Sequence, residues 1–233
     1  WFAGDTFGIS YRELDAARGP WILAISTPVQ FDPPALQASV RALEARDLTC
    51  AARIVAGDLE INKLRFAIEH DILIMIATQQ PLAQDLRVLA AMLDLIRELE
   101  RTGDYAKGIC NISQRIGAEP LIKPLLDVPR MADKAVDMLR RSLRAFVERD
   151  VVAARAIPLE DDEVDALYNQ ITRELLTIIM GRPEVVRQAN LLSWAAHNLE
   201  RAADRVTNIC ERIIFTVTGE LFEHGGRALA PPV

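Results

Sequence analysis

Glu100 and Asp104 stand four residues apart, and Glu200 and Asp204 repeat that spacing later in the chain. On a helix four residues make about one turn, so the two carboxylates of each pair project from one face. Like charges so placed repel by roughly 0.2–0.5 kcal/mol on an exposed helix. A divalent or trivalent cation reverses the sign, because hard cations take oxygen ligands. Carboxylates of a neighbouring helix would complete such a site: Asp58 and Asp85 in the first half, Asp161, Asp162 and Asp165 in the second. Spacing alone equally allows solvated acidic faces neutralised by Arg97, Arg101, Arg201 and Arg205.

Little else in the chain offers chemistry. His70, His197 and His224 form neither H-E-x-x-H nor E-x-x-H, which counts against a zinc protease and against a ferritin-like di-iron oxidase. His197, three residues before Glu200, is placed either to assist the second acidic pair or to serve as an ordinary polar helix residue. Cys50, Cys110 and Cys210 have no close C-x-x-C spacing and read as buried small apolar residues suited to a reducing compartment. No phosphate-cradling loop or dinucleotide glycine motif is present, and Gly225 and Gly226 belong to an expected tail.

The acidic pairs need helices to hold them, and apolar periodicity supplies these. Leu82, Leu86, Leu89, Leu93, Ile96, Leu99, Ala106, Ile109, Ile112 and Ile116 recur at three- and four-residue steps, one step being taken by Gly103. They form the stripe of one long amphipathic helix, opened by Pro81 at a position where a missing N–H costs nothing. Leu192, Ala195, Leu199, Ala203, Val206, Ile209 and Ile213 mark a second, between Pro183 and a Gly219 C-cap.

The halves align on each other. Arg46-Asp47 matches Arg149-Asp150, the run from Asp58 to Leu64 matches that from Asp161 to Leu167, and Leu99-Glu100-Arg101-x-x-Asp104 matches Leu199-Glu200-Arg201-x-x-Asp204. Each repeat predicts three helices, over 35–48, 58–79 and 82–117, then 129–149, 160–180 and 184–218. The expected fold is all-α, two tandem, internally repeated antiparallel three-helix bundles over 35–119 and 129–219. Pro120, Pro124 and Pro129 mark the boundary. An irregular segment is expected over 1–34, where Pro20, Pro28, Pro33 and Pro34 interrupt any helix, and a flexible tail over 220–233.

Composition sets outer limits. With 233 residues, half of them apolar, the chain can bury a sizeable core. A formal net charge of −6 argues against a nucleic-acid partner. Ile72 to Ala77 and Val88 to Leu93 are conspicuous apolar runs, far short of the ~20 residues that span a bilayer. Arg12 and Arg18 precede Trp21 to Ile25, a run shorter than the roughly 7–15 apolar residues of a secretory signal.

The string Gln80-Pro81-Leu82-Ala83-Gln84-Asp85-Leu86-Arg87, followed by Glu100-Arg101-Thr102-Gly103-Asp104, resembles the first repeat of the PhoU family. Asn198-Leu199-Glu200-Arg201-Ala202-Ala203-Asp204-Arg205-Val206-Thr207-Asn208-Ile209 resembles the second, and Arg212 to Gly219 is similar to the family's tail. The resemblance covers about residues 40–219. It implies that the E-x-x-x-D carboxylates ligate surface metal clusters of iron or zinc type, with manganese or magnesium as alternatives and more than one ion per site. It also implies a cytoplasmic, non-catalytic adaptor that restrains phosphate uptake and phosphate-regulon signalling. Such an adaptor links the ATPase subunit of a phosphate ABC transporter to a sensor histidine kinase, meets the membrane only through these partners, and is compatible with a homodimer. A carboxylate-metal-dependent helical-bundle enzyme and a plain helical scaffold without metal are the rival readings. Two departures, Gly108 where the second repeat has Asn208 and Arg187 where the first has Asp85, lead one to expect metal sites of unequal occupancy or nuclearity.

Overall fold

A computed structural model describes residues 34–220, so the expectations for the segments 1–34 and 220–233 fall almost wholly outside the described residues. The helices are α1 (Pro34–Ala45), α2 (Leu48–Gln79), α3 (Gln84–Ile116), α4 (Asp127–Glu148), α5 (Val151–Ala156), α6 (Asp161–Gly181) and α7 (Val186–Thr218). Short 3-10 turns, Ile157–Glu160 and Pro183–Val185, lead into α6 and α7. Helices α1–α3 form one three-helix bundle, and α4, the α5–α6 run and α7 form the other.

The repeat extends to the backbone. Arg46 and Arg149 both leave their helices with φ 56°. The residue after each caps the next helix: Asp47 accepts from the Cys50 N–H and Asp150 from the Ala153 N–H, both at 2.9 Å. These caps start the middle helices at Leu48 and Val151, some three turns before the expected 58 and 160. In the second repeat Pro158 interrupts the run, because it supplies no N–H, and a 3-10 turn bridges the break. Replacing Asp150 by alanine removes an N-cap acceptor and is expected to lower stability by about 1 kcal/mol. Urea unfolding of the variant beside wild type measures this, and an unchanged midpoint would contradict the capping role.

The long helices α3 and α7 lie antiparallel, since Arg212 Nε meets Asp94 Oδ2 at 3.0 Å while Arg187 donates to the Arg115 carbonyl at 2.7 Å. One core runs through both bundles, drawing Leu36, Ile109, Met131, Leu139, Leu199 and Ile213 from α1, α3, α4 and α7. The link between repeats is held to α7 by buried Gln188, whose Oε1 accepts from the Ile122 N–H and whose Nε2 donates to the Pro120 carbonyl.

At its start α3 departs from the expected stripe. Pro81 is buried in the α2–α3 connection rather than opening the helix, and Leu82 and Leu86 are exposed. α2 is also lightly covered, with Leu59, Phe66 and Leu73 exposed at seven-residue steps. Its thin cover matters for the site it helps to build.

Candidate metal centre

Antiparallel packing of α2 on α3 brings Asp58 to the first acidic pair. Gly103, inside the motif, allows the close approach: a Cβ there would meet Ile61 Cδ1 at 3.1 Å. Burial raises the Glu100 carboxyl above its ordinary value, and neighbouring Asp104 adds to this. Burial and then Asp58 raise Asp104 in the same way. Asp58 itself is buried, and its Oδ2 accepts from Lys107 Nζ at 2.6 Å. Asn62 Nδ2 donates to the same oxygen at 3.4 Å. Asp58 Oδ1 is buried with no hydrogen bond.

In the second repeat α6 packs on α7 in the same sense. Asp161 is positioned by its neighbour Glu160, which makes a two-pronged ion pair with Arg141 at 2.7 Å per oxygen and a further pair with Lys134. The Arg141 guanidinium and Lys134 hold Glu160 down to about 2 against the opposing effect of burial. Asp161 is pushed the other way, up to about 6, first by burial and then by the charges of Asp204, Asp165, Glu200 and Asp162. Burial also raises Glu200 and Asp165, and Asp204 adds to both. Asp161 Oδ1 and Glu200 Oε2 are buried without a hydrogen bond. His197 Nδ1 lies 3.2 Å from Glu200 Oε2, so it stands at the second acidic pair.

The candidates therefore gather into two clusters: Asp58 with Glu100 and Asp104, and Asp161 with Asp165, Glu200 and Asp204. Asp85 does not join. It sits in the first turn of α3, fifteen residues before Glu100, which is roughly 22 Å along the helix axis. Arg97 and Arg205 also serve elsewhere, pairing with Glu69 and Glu98 at 3.4 and 3.6 Å. Nor do the noted departures touch the clusters. Gly108 faces Asn198, Asn208 donates to Glu98 Oε1 at the α3–α7 contact, and Arg187 pairs with Glu119.

Whether the residues fit a cation differs between the clusters. Buried, unpartnered carboxylate oxygens from two helices, mutually repelling, are oxygen donors in need of positive charge. Both clusters have such an oxygen, Asp58 Oδ1 in the first and Asp161 Oδ1 in the second, and the second gathers four carboxylates. The first already holds an ammonium group. Among the described residues no three His, Cys, Asp or Glu side chains converge closely enough to enclose an ion as they stand, so binding at the second cluster requires side-chain rotation. Cys110 and Cys210 take no part: both are fully buried, and burial pushes their thiols up to about 12.

Comparison with known proteins gives a consistent set of relatives. The PhoU domain model matches residues 35–113 and again 128–213. A phosphate-specific transport system accessory protein PhoU homolog from Caulobacter vibrioides is 38% identical over 185 residues, covering 78% of this chain and 79% of the relative. The phosphate-specific transport system accessory protein PhoU of Escherichia coli is 32% identical over 191 residues, covering 82% of this chain and 79% of its own length. The crystal structure of the phosphate transport system regulatory protein PhoU from Streptococcus pneumoniae superposes with a TM-score of 0.75 at 27% identity, over 81% of this chain and 89% of that one.

Proposed function

The chain belongs to the PhoU family, and from that premise we propose that it is an accessory regulator of a phosphate-specific transport system. In this reading it restrains phosphate uptake and phosphate-regulon signalling by standing, in the cytoplasm, between the transporter's ATPase subunit and a sensor histidine kinase. The observation that carries it is the match of both repeats to one family, beside which stands an acidic cluster on the corresponding helices of each repeat. No helix of the described residues is long and apolar enough to cross a membrane.

The role is one of recognition, not catalysis. The candidate carboxylates lie beside a helix–helix seam, without the set of histidines that a carboxylate-metal oxidase uses. The second cluster would hold iron or zinc, or manganese or magnesium, through Asp161, Asp165, Glu200 and Asp204. Bound there, the ion would supply positive charge that joins α6 to α7 through oxygen ligands. The protein's part is to keep those oxygens buried and short of partners, so that a cation has something to satisfy.

Two measurements test this reading. In cells lacking the protein, a phosphate-regulon reporter is expected to stay active in high phosphate and to be silenced when wild type is restored; a reporter indifferent to the gene would refute the regulatory role. Elemental analysis of protein purified without chelator is expected to find iron, zinc or manganese that a folded Glu100→Ala, Asp104→Ala, Glu200→Ala, Asp204→Ala variant lacks. Wild type that stays metal-free after reconstitution would leave a scaffold without metal.

A further inference from the structure

We infer that the Lys107 ammonium takes the place of a cation in the first repeat, so that this chain binds metal through its second repeat alone. The inference rests on the metal-binding reading above and adds which half of the molecule carries it.

The two clusters are built on the same helices of a repeat, so their differences can be compared position by position. Asn62 in the first stands where Asp165 stands in the second, and Lys107 where Thr207 stands. Both changes move the first cluster towards positive charge. Lys107 makes this a matter of contact as well as count. Its Nζ lies 2.6 Å from Asp58 Oδ2, and it acts electrostatically on Asp104 and Glu100 as well. The ammonium thus contacts Asp58 and lies within electrostatic reach of the other two carboxylates. Arg65, itself paired with Glu69 at 3.0 Å, adds a second positive charge near Glu100.

An ion entering the first cluster would have to displace Lys107 from a carboxylate that is 8% exposed. Lys107 is itself 36% exposed, but moving it away leaves the buried Asp58 carboxylate short of its counter-charge. The second cluster holds no lysine. Arg201 reaches Asp204 only at 3.9 Å, and His197 is the other group near Glu200 able to carry a positive charge. Four carboxylates gather there against three in the first cluster; each cluster has a buried oxygen without a hydrogen bond, Asp161 Oδ1 here and Asp58 Oδ1 there, but only the first has an ammonium in contact. Only one of the two places has room, in charge, for a cation.

The test is equilibrium dialysis of the full chain, stripped with chelator, against Zn²⁺, with circular dichroism as the control for folding. Glu100→Gln with Asp104→Asn is expected to keep the wild-type zinc stoichiometry, and Glu200→Gln with Asp204→Asn to lose it. A graft of second-repeat residues, Asn62→Asp with Lys107→Thr, is expected to raise the stoichiometry above wild type. Adding Glu100→Gln and Asp104→Asn to the graft should return it to the wild-type value. If the first-repeat pair variant loses as much zinc as the second, the inference is overturned while metal binding stands. If wild type takes up no zinc at all, metal binding itself fails and the inference goes with it. The two pair variants decide the question even where the graft does not fold.

Discussion

Cutting Leu199 back to alanine is expected to lower the unfolding free energy by about 2–5 kcal/mol, the usual cost of emptying a well-packed core position. Leu199 is fully buried, one residue before Glu200. Its repeat counterpart, Leu99, is only partly buried and lines a cavity between α2 and α3 with Ile61, Leu64 and Ile68. Leu99→Ala should therefore cost less, about 1–2 kcal/mol, since part of the void is already present. The difference follows from what each residue meets: Leu199 sits in the core that runs through both bundles, whereas Leu99 lines the cavity against the lightly covered α2. Because a single core joins the bundles, Leu199→Ala should shift one cooperative transition rather than melt one repeat. Urea unfolding followed by fluorescence and by circular dichroism checks both points. A Leu99→Ala loss as large as that of Leu199→Ala would show that the first bundle is packed as tightly as the second.

The same asymmetry explains what could be seen in advance. Long helices and the internal repeat were legible because apolar residues at three- and four-residue steps survive any packing detail. Gly219 ends α7 with φ 76°, as its place after the stripe predicts. Boundaries were harder. Leu82 and Leu86 satisfy the period yet are exposed, since periodicity records which residues share a face and not whether that face meets a partner. The middle helices begin early because Asp47 and Asp150 are caps, a signal present in the aligned Arg-Asp pairs but not in the apolar period.

At the site, the four-residue spacing marked Glu100, Asp104, Glu200 and Asp204, and the alignment added Asp58 and Asp161. Asp85 lies on the same helix as Glu100, about four turns away, and so cannot act as the neighbouring-helix ligand expected of it. Lys107 was missed altogether. Which cation reaches which carboxylate across two helices depends on their relative rotation, and no single helix's period contains that. The clue available was the comparison of repeats: Lys107 against Thr207, Asn62 against Asp165.

A pH titration should expose the second cluster directly. In the metal-free protein Asp161 has a folded-state pKa of about 6 against an ordinary 3.8. The folded state therefore binds more protons than the unfolded state between those values. Stability contributed by this group is fully present below 3.8 and is lost as pH rises through 6. Glu160 opposes it only at lower pH, because its folded pKa near 2 lies below the ordinary 4.5 and its contribution is lost as pH falls through that range. Chelated wild type should thus lose stability between pH 5 and 7.5. Two pKa units correspond to about 3 kcal/mol at most. Solvent screening at a part-buried group reduces the expected loss to about 1 kcal/mol. Asp161→Asn should flatten this slope and raise stability at pH 7.5, because it removes one of several repelling carboxylates. Asp58→Asn should do the reverse, weakening the acceptor of Lys107 and lowering stability at the same pH. Urea unfolding of the three chelated proteins at both pH values separates the outcomes. Equal slopes in wild type and Asp161→Asn would mean that the second cluster is not the charge-strained one, and with that the reason for a cation to prefer it would be gone.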